Sequence, residues 1–148
     1  MRTEEELGNK EDIAYKKAEY YYTHDYNCAQ SVVMAVCNAF AIDIPDEIIK
    51  VTSGLGGGVG FSGCICGALN GGAIAIGMFL GPAKASPATS SIARVNKQLA
   101  DWFEEEYATT CCRQLRRRRP FASKEVKQMC TEITADTAKK VVSIIQQA

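Results

Sequence analysis

Apolar residues recur along the chain at intervals of three and four, the spacing that gives a helix one buried stripe. Ile13, Ala14, Ala18, Tyr21 and Tyr22 form the first stripe, with charges on the opposite face. Val32, Val33, Val36, Cys37 and Phe40 form the second. Asn27 stands before it, where an N-cap accepts from the free N–H groups of a helix over 28–40. Residues 42–45 read as a connector, and Pro45, Asp46 and Glu47 suit the first turn of a short helix ending at Thr52. Ile92, Val95, Leu99, Trp102 and Phe103 predict a helix over 92–107. A single turn is expected over 111–115. Val126, Met129, Cys130, Ile133, Ala138, Val141, Val142 and Ile145 predict a last helix from a Ser123 cap to Gln146. No alternating run marks a pair of strands, and no repeat or composition break marks a second domain. The pattern predicts an all-α fold, a compact helical bundle forming one domain over 1–148.

Eleven of the twelve glycines fall between Gly54 and Gly81, inside a stretch without charge from Val51 to Ala83. A membrane span needs about 20 predominantly apolar residues. The strongly apolar part here is only 73–80, so no membrane span is expected. The stretch reads instead as a glycine loop followed by a buried central helix over 64–80. That helix is rich in Gly and Ala (Ala68, Gly71, Gly72, Ala75, Gly77) and is stopped by Gly81-Pro82. Residues 83–91 read as a mobile connector. The loop is not a phosphate-binding loop, because no Gly-Lys-Ser/Thr follows, and no strand precedes it to make a dinucleotide fingerprint. Its N–H groups can donate to sulfur or to an anion, which makes Gly56, Gly57, Gly58 and Gly67 candidate cofactor-binding positions. Tight turning and close packing account for the same glycines equally well.

Composition removes other classes. The 148 residues carry 17 basic and 17 acidic side chains, with 47% hydrophobic residues. That excludes disorder by composition and gives no global argument for nucleic acid or an anionic membrane. Arg113 and Arg116 to Arg119 form a basic patch, read as a solvated face that Glu104, Glu105 and Glu106 can offset. His24 reads as a helix-end histidine, and Trp102 and Phe103 as core. Tyr20, Tyr21, Tyr22 and Tyr26 read as core and rim, with a homo-oligomer contact left open. The first 25 residues are charged and lack a central apolar stretch, so a cytoplasmic location with reduced thiols is expected.

Seven cysteines remain to be placed. Cys28, Cys64, Cys66, Cys111 and Cys112 fall at predicted helix starts, where partial positive charge favours thiolate. Cys130 lies within the last helix on its core face. There is no Cys-x-x-Cys and a single histidine, so zinc-finger and bacterial ferredoxin spacings are absent. A metal site would have to be assembled by the tertiary fold.

The chain has Asn27-Cys28-Ala29-Gln30, then the glycine loop, then Cys66-Gly67-Ala68-Leu69-Asn70-Gly71. Cys112-Arg113-Gln114-Leu115 and a late Cys130 follow. In this order it resembles the C_GCAxxG_C_C family, small redox-active proteins with four characteristic cysteines and a CGAxxG motif. The resemblance runs over about 22–145. It implies Cys28, Cys66, Cys112 and Cys130 as the functional set and leaves Cys37, Cys64 and Cys111 as extra. A similar domain occurs in split-Soret cytochromes, where an iron–sulfur centre has been proposed. The leading expectation is therefore four thiolate ligands of an iron–sulfur cluster in electron transfer with an unknown redox partner. Two alternatives stand beside it. One is metal-free thiol–disulfide chemistry, with Cys66 attacking and Cys112 or Cys28 resolving. The other is a structural zinc site or plain packing.

Overall fold

A computed structural model describes residues 4–87 and 89–148. Ala88 of the predicted connector and residues 1–3 of the charged N-terminal segment lie outside the described residues. The rest form seven helices: α1 (Glu4–Tyr22), α2 (Cys28–Ala39), α3 (Asp46–Thr52), α4 (Gly67–Leu80), α5 (Thr89–Tyr107), α6 (Cys112–Leu115) and α7 (Lys124–Gln147). The fold is all-α, as the periodicity requires. Among the described residues no helix is long and apolar enough to cross a membrane.

Helix α2 lies at the centre, packed against α1, α4 and α7, while α4 also packs on α5 and α7. Val32, Val33, Val36, Ile76, Leu99, Phe103, Val141 and Val142 fill the space between them and are fully buried. Each lies on a stripe expected to face inward, apart from Ile76, which the apolar run of α4 supplies. Burying a side chain of this size contributes roughly 1.5–3 kcal/mol, which makes this cluster the main stabilising element.

Glycine sets how closely α2 and α4 approach. A Cβ on Gly71 would stand 2.5 Å from the Ala29 carbonyl oxygen and 2.8 Å from its Cα, so α4 runs against the backbone of α2. Gly67, one turn earlier, meets the Cys28 sulfur in the same way. The two glycines of the Cys66–Gly71 motif are thus the contact that brings the N-terminal ends of α2 and α4 together.

Two boundaries differ from expectation. The central helix starts at Gly67, three residues later than predicted. Residues 64–66 are held extended by a single antiparallel bridge between Ile65 and Cys111. Cys66 N–H donates to the Thr110 carbonyl at 2.8 Å, and Cys112 N–H to the Cys64 carbonyl at 2.6 Å. A backbone partner far along the chain overrides local helical tendency there. Helix α5 starts at Thr89, so it absorbs the end of the segment read as a mobile connector.

Candidate four-cysteine site

The starts of α2 and α4, the glycine loop, α6 and the first half of α7 surround a cavity of about 510 Å³. Cys28, Cys66, Cys112 and Cys130 all line it, together with Tyr22, Arg116 and Thr134. No disulfide links any of them.

Each cysteine is delivered by a local device. Asn27 caps α2: its side-chain oxygen accepts from Gln30 N–H at 2.8 Å, and Gln30 Oε1 accepts from Asn27 N–H at 3.0 Å. The Asn27 amide also donates to the carbonyls of Thr52 and Ser53, both at 3.1 Å, and Gln30 donates to Ile49 at 3.0 Å. The Asn-Cys-Ala-Gln sequence therefore pins Cys28 to the end of α3, where the glycine loop departs. A capping residue of this kind contributes about 1 kcal/mol.

The loop then folds back on itself. Gly60 N–H donates to Gly54 at 2.8 Å, Gly63 to Gly57 at 3.0 Å and Cys64 to Gly58 at 2.9 Å. Gly57, Gly58, Gly60 and Gly63 all have positive φ, a conformation that costs other residues roughly 1–2 kcal/mol. At Gly58 (φ +73) a Cβ would also stand 2.5 Å from the Cys64 nitrogen and 2.8 Å from the Cys112 Cβ. The loop thus seats Cys112 as well as leading the chain to Cys66. Cys66 itself is the N-cap of α4, and Cys130 projects from α7.

Of the proposed glycines, Gly56, Gly57 and Gly67 line the cavity, while Gly58 packs behind Cys112. Gly57 has a donor role, since its N–H favours the Cys28 thiolate. Gly56 and Gly67 act through the side chain they lack, against Asn27 and Cys28.

The expectation that helix starts lower the thiol pKa is overturned for Cys28 and Cys66. Burial pushes the Cys28 thiol up, although the N–H groups of Gly57, Ala29 and Cys28 act the other way. Burial also raises Cys66 strongly, ahead of the like charge of Cys28, against lowering by the N–H groups of Ala68 and Leu69. Cys130 is pushed up to about 11, chiefly by burial, with Tyr22 at its sulfur and Arg116 nearby lowering it in part. Desolvation of a buried charge exceeds what a few N–H dipoles return. These couplings also show the four sulfurs to be electrostatic neighbours: Cys28 senses Cys112, Cys66 senses Cys28 and Cys130, and Cys130 senses Cys28 and Cys112.

The other three cysteines stay out of the cavity. Cys37 is buried in the α2 core, Cys64 is exposed, and the Cys111 thiol donates to the Gly63 carbonyl at 3.3 Å. His24 is exposed at the end of α1, stacked on Tyr20 at 4.0 Å. Trp102 and Phe103 belong to the core or pack on it. The arginine patch splits. Arg113, Arg117 and Arg118 are exposed as expected, but Arg116 is buried, with its guanidinium 3.7 Å over the Phe121 ring.

Arg116 and Thr134 are site residues that periodicity missed. Each lies four residues beyond a cavity cysteine, Cys112 and Cys130, and so one turn along the same face. That spacing was the signal available. Among the described residues, no three His, Cys, Asp or Glu side chains are arranged to hold one metal ion.

The fold and this site define a small helical four-cysteine protein. Residues 26–144 match the family described as "Putative redox-active protein (C_GCAxxG_C_C)", and the chain belongs to that family. No curated protein and no solved structure matches it.

Proposed function

We propose that Cys28, Cys66, Cys112 and Cys130 are the thiolate ligands of an iron–sulfur centre that exchanges electrons with a redox partner. The observation that carries this reading is four cysteines on one cavity, three of which, Cys28, Cys66 and Cys130, are held protonated by burial and by the charge that neighbouring thiolates would carry. Such thiols ionise together only if positive charge enters among them, and metal ions supply it. When bound, a cluster would supply one-electron redox chemistry. The chain would then hold the sulfurs, shield them from water and direct N–H groups at Cys28 and Cys66.

The donor chemistry and the room both suit a cluster. A single zinc needs four ligands converging at about 2.3 Å on one point. A cluster spreads its ligands around a larger body, and a cavity of about 510 Å³ has room for one. Thiol–disulfide exchange has less support, since the attacking species is the thiolate and burial keeps Cys66 protonated. A reducing compartment such as the cytoplasm would keep these thiols available as ligands.

Anaerobic reconstitution with ferrous iron and sulfide tests it. The expected product is a brown protein binding iron and acid-labile sulfide in fixed ratio. A colourless product free of iron overturns the reading, and stoichiometric zinc in its place supports a structural site instead.

A further inference from the structure

We infer that Arg116 and Thr134 are built-in donors to the anionic group held by the four cysteines, and that they raise its affinity for electrons. The inference rests on the iron–sulfur reading of the site. It starts from Arg116 Nε and Thr134 Oγ1, two of the four buried side-chain atoms without a partner among the described residues and the two that belong to residues of this cavity.

Arg116 is 8% exposed. Its Nη1 donates to the Arg119 carbonyl at 2.5 Å, and its Cζ lies over Phe121, yet its Nε has no partner. No carboxylate pairs with it among the described residues, where the recorded ion pair is Lys97–Asp101. A buried guanidinium without a counter-charge is costly, and buried charges are ordinarily paired. Thr134 is 1% exposed. In the same helix Thr131 and Thr137 satisfy their hydroxyls by donating to the carbonyls four residues back, each at 2.7 Å. The Thr134 hydroxyl makes no such bond. Both residues line the cysteine cavity, their unpartnered atoms buried in its wall, as do the exposed residues Asp25 and Lys127.

The placement is systematic. Arg116 stands one turn beyond Cys112, with its N–H bonded to the Cys112 carbonyl at 3.0 Å, and Thr134 stands one turn beyond Cys130. Four thiolates outweigh the positive charge of a cluster core, so the occupant is anionic, and more so when reduced. A fixed cation and a hydroxyl donor in the cavity wall would stabilise the reduced form more than the oxidised one. The two residues are positioning and tuning groups, not ligands.

The test uses the full chain, reconstituted anaerobically with ferrous iron and sulfide, with the midpoint potential read by spectroelectrochemistry. Thr134→Val and Arg116→Gln are expected to give more negative potentials than wild type. Arg116→Lys, which keeps the charge, should lie nearer wild type than Arg116→Gln. The exposed Arg117→Gln should leave the potential unchanged. If Arg116→Gln fails to fold by circular dichroism, the near-isosteric Thr134→Val decides the matter. Wild-type potentials in the folded variants overturn the inference while leaving the cluster in place. A wild-type chain that takes up no iron overturns the reading beneath it, and the inference with it.

Discussion

Thr137 and Thr134 lie three residues apart in α7, and both are out of contact with water. Thr137 faces the helical core, where its methyl would meet a Cβ on Gly72 and its hydroxyl bonds to Ile133. Thr134 belongs to the wall of the cysteine cavity, and its hydroxyl has no partner. The same contrast holds region by region. In the core, Val, Leu, Ile and Phe side chains fill the space between helices. Around the cavity, thiols, a guanidinium and a hydroxyl surround about 510 Å³ that no side chain fills. Folded proteins leave few buried polar groups unpaired. Asn96 and Gln146 also carry an unpaired buried atom away from the cavity, so it is the chemistry of the lining together with the unpaired Thr134, and not unpaired atoms alone, that separates site from scaffold.

Alkaline pH should act chiefly through the cavity end, where three thiols are raised against the single raised Cys37 thiol of the core, and this is the largest effect. In the metal-free, reduced protein the Cys28, Cys66 and Cys130 thiols are raised from an ordinary value of 9.0, Cys130 to about 11. Unfolding then releases protons above pH 9, so this contribution is whole below pH 9 and lost as pH rises through 11 and beyond. The slope is about 1.4 kcal/mol per pH unit for each proton released. Thermal melts from pH 7 to 11 should show the decline, and it should shrink in Cys130→Ser.

Gly71→Ala attacks the core side of the comparison. Its Cβ would press on the backbone of Ala29, which has no rotamer to yield, so about 2 kcal/mol of destabilisation is expected. Gly77, in the same helix with nothing within 4 Å, should gain about 1 kcal/mol as Ala. Denaturant midpoints of the two variants should move in opposite directions.

The smallest effect separates the two threonines. Thr137→Val should cost about 1 kcal/mol, because it leaves a bonded site without its donor. Thr134→Val should leave metal-free stability unchanged or slightly higher, since no bond is lost. Equal losses in both would remove the distinction between core and cavity.

The helices were readable because a 3.6-residue stripe is a local signal, as in Val32, Val33 and Val36 of α2. The order of the four cysteines was readable through resemblance to a family. The start of α4 was not, because the extended 64–66 segment is fixed by Thr110 and Cys112, more than forty residues away. Burial of Arg116 was hidden for a related reason. Four adjacent arginines look alike in sequence, and the turn after α6 places one of them over Phe121 while Arg117 and Arg118 take left-handed backbone into solvent. The rise in thiol pKa was hidden because helix starts are visible in sequence and desolvation is not.

The most direct measurement is the iron content per chain, after anaerobic reconstitution, of single substitutions at all seven cysteines. Iron should be lost in Cys28→Ser, Cys66→Ser, Cys112→Ser and Cys130→Ser, and kept in Cys37→Ala, Cys64→Ser and Cys111→Ser. Iron retained by all four cavity variants, or lost with the exposed Cys64, would contradict a cluster held in the four-cysteine cavity.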